Sequence, residues 1–282
     1  MEATPLAWTP EHVQRFWDYW STRPDSQGSY FAAQVGQGVC RFLDLIQPHA
    51  GLDVLDYGAG PGYLVQPLLQ RGARVSAVDY SPQTVAELNH RFGQDPLWVG
   101  AVRFDGQRLP WADARFDVVV CLETIEHVLG EHLDSVLREL LRVLKPGGRL
   151  VCTTPNSENL QNQAVYCPHC NHEFHRWQHV RNWTPQGLRQ HLNGLGFETQ
   201  FCDGVNFHDF QLAAVPLRKR LKLSVMRREL MRTLRGLADT WSPRPFPDVR
   251  QLQHHLRQRN RHHLVAVAVR PQVVAAAERY AA

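Results

Sequence analysis

The chain has 282 residues, 43% hydrophobic and 21% charged, with a formal net charge of +4. That composition fits a folded globular protein and excludes collagen-like and disordered classes. No apolar run approaches the roughly 20 residues of a membrane-spanning helix, and the opening MEATPLAWTPEH lacks a basic then apolar leader pattern, so a cytoplasmic protein is expected. Of the six cysteines, Cys40, Cys121, Cys152 and Cys202 are scattered through apolar segments, which argues against a disulfide framework.

Thr9-Pro10 is a helix start, and Val13, Phe16, Trp17 and Trp20 follow on one aromatic face. A second helix is expected from about Ser29 to Ile46, with Phe31, Val35, Val39, Phe42 and Ile46 on one stripe. From Leu52 onward, short apolar runs alternate with helical patterns: DVLDY, PGYLVQPLLQRG, ARVSAVDY, PQTVAELNHRF, and so on through RLVCTTP. Strands that are apolar on both faces and separated by helices imply a right-handedly wound parallel sheet. A helix from Pro185 to Leu195 leads into GFETQFCD, and HLVAVAVRP reads as the last strand. The expected division is an N-terminal helical cap at 1–50, a core at 51–205 with a Cys/His loop at 166–181, a basic helical insertion at 206–261, and the last strand and tail at 262–282.

The segment VLDYGAGPGYL places Gly58, Gly60 and Gly62 just beyond a strand that ends at Asp56. In an open parallel sheet, ligands sit at the carboxyl ends of the strands, where strand order reverses. The dehydrogenase fingerprint G-x-G-x-x-G does not fit, because Tyr63 stands where its third glycine would be. Asp56 disfavours a phosphate and suits a cationic amino group. S-adenosylmethionine meets both conditions.

On these residues the chain resembles the class I S-adenosylmethionine-dependent methyltransferases, over roughly Val54 to Phe201. The resemblance rests on DYGAGPG, on AVDYSP, on VRFDGQRLPWADARFDVVVCLETIEHV and on LRVLKPGGRLVCTTPN. It implies a Rossmann-like, doubly wound α/β fold with a mostly parallel seven-stranded sheet, an N-terminal helical cap and a helical insertion before the last strand. It also implies that Asp56, Gly58, Ala59, Gly60 and Gly62 cradle the methionine part, and that Asp79 grips the ribose hydroxyls. A carboxylate suits a vicinal diol because it accepts two hydrogen bonds. Tyr80 would pack on the adenine, Asp105 with Gly106 would bind its amino group, and Glu123 would stand where donor and acceptor meet. Tyr30 and the aromatic first helix would close the site from above. The Glu126-His127-Val128 triplet is shared with members resembling the ubiquinone-biosynthesis O-methyltransferases, which points to a small-molecule or lipid-linked acceptor methylated at oxygen. His127 is the candidate general base, with Glu126 as the alternative; a helix-start histidine bonded to backbone is the structural reading of the same residue.

The stretch YCPHCNHEFHRWQHVRNWT offers Cys167, Cys170, His175 and His179 in a C-x2-C-x4-H-x3-H spacing, with His172 spare. Four nitrogen and sulfur ligands suit a structural tetrahedral zinc; reduced surface cysteines in a histidine-rich loop, or a redox pair, are the competing readings. A zinc here is expected to staple a wall over the substrate, with Arg176, Trp177, Gln178 and Arg181 at the pocket or its rim.

Between Leu217 and Arg235, eight basic residues face one acid, Glu229, so the remainder of the chain is slightly acidic. Leu223, Met226, Leu230, Leu234 and Leu237 fall on one helical stripe. A docked helix with a solvated basic face, contact of residues 217–237 with an anionic membrane surface, and contact with nucleic acid all suit that pattern. Nucleic acid is the less favoured partner, since aromatics are not interleaved with the basic residues. An RNA (tRNA-type) methyltransferase and a non-catalytic S-adenosylmethionine-binding module are the alternative functions.

Overall fold

A computed structural model describes residues 3–21, 23, 28–104, 108–207 and 263–272. The basic segment 217–237 and the pair Asp105 and Gly106 lie outside the described residues.

Seven strands form the main sheet: β2 (Asp53–Tyr57), β3 (Arg74–Asp79), β4 (Trp98–Arg103), β5 (Phe116–Leu122), β6 (Leu144–Pro155), β9 (Glu198–Val205) and β10 (His263–Val269), in the order β4-β3-β2-β5-β6-β10-β9. The first five pair in parallel, whereas β10 runs antiparallel to both β6 and β9. The late strand is therefore inserted rather than added at an edge. Its sequence LVAVAV, apolar on both faces and buried from Leu264 to Val269, is what an interior position requires. Strand order reverses between β2 and β5, where the crevice for a ligand belongs.

Helices cover both faces. On one side lie α2 (Phe31–Ile46), α3 (Val65–Leu69) and α4 (Pro82–Phe92); on the other lie α5 (Gly130–Val143) and α6 (Pro185–Gly194). Each helix follows from its sequence. In α5, Leu133, Val136, Leu137 and Leu140 recur at helical spacing and are buried. Ser81 caps α4 by accepting the Thr84 N–H at 3.3 Å, and Thr184 caps α6 by accepting the Gly187 N–H at 3.1 Å, each followed by proline at the first helical position.

The expected N-terminal cap divides in two. α2 is a core helix whose Val39 and Phe42 are fully buried, while α1 (Pro10–Ser21) buries no residue completely. α1 belongs with a second, smaller sheet, in which β1 (Thr4–Pro5) pairs in parallel with β8 (His172–His175), and β8 pairs antiparallel with β7 (Ala164–Cys167). No helix among the described residues is long and apolar enough to cross a membrane.

Candidate active site

A cavity of about 480 Å³ opens beyond the carboxyl ends of β2, β3 and β5. That volume suits a cofactor together with part of a second molecule. One end is lined by Asp56, Gly58, Ala59, Gly60, Asp79 and Tyr80, and Tyr30 and Glu123 also line the cavity. The other end is walled by Trp17 and Trp20 of α1 and by His127, Trp177 and His179.

The glycine turn is shaped by packing as much as by a ligand. Gly58 has φ +76°, and a Cβ on it would lie 2.5 Å from Thr124 Oγ1; Gly62 has φ +77°, and its Cβ would lie 2.5 Å from Leu88 Cδ2. Both positions therefore exclude a side chain. Gly62 does not line the cavity, so its part is to seat the turn on α4 rather than to touch a ligand. Gly60 is the glycine whose N–H donates to Asp79 Oδ2 at 2.8 Å, with Tyr30 above it.

Asp79 also accepts the Ser81 N–H on Oδ1 at 2.9 Å, which fixes the carboxylate while leaving lone pairs for a diol. Asp56 is different: it is 3% exposed, and its Oδ2 has no hydrogen-bond partner. Burial, followed by the nearby Asp79 charge, pushes its carboxyl up to about 7. An orphaned buried carboxylate in a cavity wall is a natural counterpart for a cationic ligand group. These residues fit the amino group and ribose of S-adenosylmethionine.

His127 and Glu126 have different surroundings. Burial first, and the His179 ring next, push the His127 imidazole down to about 3, so it is neutral and only a weak base. Its ring meets Trp17 edge-on, with centroids 4.8 Å apart. Glu126 is 1% exposed and absent from the cavity wall, and burial beside Glu123 pushes its carboxyl well up, which keeps it protonated. Glu123 adopts φ +44° and faces His263 Nδ1 at 3.6 Å.

The expected zinc set is not assembled. In the β7–β8 hairpin, Cys167 stands opposite His172, while His175 pairs with Ala164 at the far end. Three strand positions amount to about 10 Å, beyond the reach of a shared ion. Cys167 and Cys170 are free thiols at the hairpin turn, and Cys170 is exposed. His175 and His179 instead converge on Glu158, with His179 Nδ1 2.5 Å from Oε2 and His175 Nε2 3.3 Å from Oε1. The correction has a simple cause: linear spacing takes no account of the antiparallel pairing that carries the histidines away from the cysteines.

Of the four residues expected at the pocket or its rim, Trp177 lines the cavity, and Arg176, Gln178 and Arg181 are not in its lining. Trp177 lies against Trp20 with ring centroids 5.1 Å apart. Gln178, fully buried at φ +62°, accepts from Trp17 Nε1 at 3.0 Å and donates to the His127 carbonyl at 2.9 Å. Arg181 donates to the Ile125 carbonyl at 2.9 Å, and Arg176 lies over the Trp177 ring. Sequence reasoning missed Glu158, Thr124 and His263, which carry no local motif.

Residues 55–152 match a family model described as a methyltransferase domain. A ubiquinone biosynthesis O-methyltransferase of Cereibacter sphaeroides is 32% identical over 127 residues, 45% of this chain and 51% of that protein, so the chain spans about half the length of such a relative. Two solved structures share the fold at low identity. The Burkholderia thailandensis 1,6-didemethyltoxoflavin-N1-methyltransferase has a TM-score of 0.54 at 18% identity over 95% of this chain and 93% of its own. The [4+2]-cyclase SpnF has a TM-score of 0.56 at 19% identity over 96% and 100%. The match over residues 55–152, with the glycine turn and the two strand-end carboxylates inside it, makes that part of the chain a class I S-adenosylmethionine-dependent methyltransferase domain.

Proposed function

We propose that the chain transfers a methyl group from S-adenosylmethionine to an oxygen of a small-molecule or lipid-linked acceptor. The observation that carries this reading is the pair of carboxylates at adjacent strand ends, Asp56 with Oδ2 unpartnered and Asp79 held by two N–H groups, opening into the same cavity as an aromatic wall. When bound, the cofactor supplies a methyl group already activated on a sulfonium. Asp56 would neutralise its ammonium and Asp79 would hold its ribose hydroxyls. Trp17, Trp20 and Trp177 line the cavity as an aromatic wall for the acceptor and would keep water from the transfer. The relative's ubiquinone-related acceptor is of the chemical kind such a wall suits.

The test is transfer of labelled methyl from S-adenosylmethionine into small-molecule, lipid, RNA and protein fractions of a cell extract. Label in the small-molecule or lipid fraction is expected, and label confined to RNA would overturn the reading in favour of nucleic acid. Asp79→Ala is expected to weaken S-adenosylhomocysteine binding by about 100-fold in calorimetry, since a charged hydrogen-bonding group is worth about 1.5–3 kcal/mol. Unchanged affinity would refute the ribose assignment.

A further inference from the structure

Resting on that reading, we propose that Glu158 and His179 form a carboxylate–imidazole pair that takes the proton from the acceptor hydroxyl. Glu158 follows β6 and is not part of the cavity wall, whereas His179 is. Nδ1 is bonded to the Glu158 carboxylate at 2.5 Å, and since a carboxylate only accepts, Nδ1 is the donor. Among the described residues no hydrogen bond occupies Nε2, and that nitrogen is not among the sealed, unpartnered atoms. Nε2 is the ring nitrogen that Glu158 does not engage, on a residue that lines the cavity. A carboxylate that fixes the tautomer and steadies the imidazolium is the arrangement general bases use.

The neighbouring groups fit this division of roles. The donor atoms of Glu158, His175 and His179 lie within 4.8 Å of one another, a spacing that a metal ion could also use. His175, however, presents Nδ1 to the N–H groups of Trp177 at 3.4 Å and His179 at 3.2 Å. Its Nε2 is the nitrogen left facing Glu158, 3.3 Å from Oε1. Glu158 thus has an imidazole nitrogen beside each oxygen, His179 Nδ1 bonded to Oε2 and His175 Nε2 facing Oε1 at 3.3 Å. Burial opposes its ionisation, but the two imidazoles hold its carboxyl at about 2, so it is a carboxylate throughout the working range. The remaining titratable neighbours are His127, whose ring lies 4.8 Å from that of His179, and the buried Glu126, which with His127 forms a second close group around His179.

In the step itself, the acceptor O–H proton passes to His179 Nε2 as an oxygen lone pair bonds to the methyl carbon. The carbon–sulfur bond breaks with its electron pair returning to sulfur. The products are a methyl ether, S-adenosylhomocysteine and an imidazolium paired with Glu158, which loses its proton to water when the site opens.

The experiment measures labelled methyl transfer into the small-molecule and lipid fractions of an extract for wild type, His179→Ala, His179→Gln, Glu158→Gln and Glu158→Asp. Metal content of the purified wild type and S-adenosylhomocysteine affinity of each protein are measured alongside. His179→Ala is expected to lose about 100-fold in rate with affinity within about twofold of wild type, and added imidazole should restore part of the rate in that variant alone. Glu158→Asp should retain more activity than Glu158→Gln. A His179→Ala protein as fast as wild type overturns the proposal, as does zinc bound one per chain in wild type and lost in the histidine variants. So does loss of rate in both His179 variants with intact affinity and no response to imidazole. A wild-type protein that transfers no methyl to any fraction instead overturns the functional reading itself, and does so before any variant is compared.

Discussion

Asp56 couples the cofactor site to pH. With its carboxyl at about 7 in the ligand-free cavity, protons and a cationic ligand compete for the same oxygens. Binding an ammonium favours the ionised form, so affinity is full above pH 7 and falls as pH drops below it. For S-adenosylhomocysteine, which carries the same amino group, calorimetry should show about a 10-fold weakening from pH 8 to pH 6. Asp56→Asn should bind more weakly and lose that dependence. The same substitution removes a buried ionisable carboxyl whose Oδ2 has no hydrogen-bond partner. Because the folded carboxyl is raised above its unfolded value, the stability penalty appears as pH rises toward 7 and is complete above it. The variant should therefore melt a few °C higher than wild type at pH 8 and show little difference at pH 4. An Asp56→Asn protein whose cofactor affinity still followed wild type across this range would remove Asp56 from the ammonium site.

At the level of elements, the Trp17–Gln178–His127 relay ties α1 to the site. Trp17→Phe leaves a smaller aromatic ring and removes the N–H, so Gln178 Oε1 is left buried and unpaired at a cost of about 1–3 kcal/mol beyond the lost ring packing. The acceptor KM should rise several-fold while cofactor affinity stays unchanged, because α1 adjoins the acceptor end. This relay also marks what the sequence could and could not reveal. The strand-end carboxylates were legible because each belongs to one continuous strand-turn-helix segment whose chemistry and geometry are local. Trp17 was legible as an aromatic face but not as a hydrogen-bond donor, since its partner is 161 residues away. The Cys/His stretch misled for the complementary reason: four suitable ligands were close in sequence, and a four-residue hairpin separated them. Glu158, in the unpatterned SENL run, gave no signal until the fold carried two histidines to it.

Across the whole molecule, the two ends of the cavity rest on structures of unequal stiffness. The cofactor end is carried by a seven-stranded sheet whose interior strands are buried between helices on both faces. The acceptor end is carried by a three-stranded sheet of short strands and by a helix with no fully buried residue. Small sheets with little buried apolar area open at low free-energy cost, and elements that admit substrates are drawn from that end of the range. β1 contributes the Thr4 N–H bond to the Asn171 carbonyl at 3.0 Å and the Leu6 N–H bond to the Glu173 carbonyl at 2.9 Å, and Trp8 packs edge-on against Phe16 and Phe174. Removing residues 1–8 takes away both bonds and that ring while leaving every strand of the main sheet in place. Hydrogen exchange in α1 and in the β7–β8 hairpin should then accelerate, and the acceptor KM should rise, with S-adenosylhomocysteine affinity within about twofold of wild type. Equal loss of acceptor and cofactor binding would mean that the small sheet and the large one act as one rigid body. Separate losses would mean that the chain binds its cofactor on a fixed floor and admits its acceptor under a wall that yields.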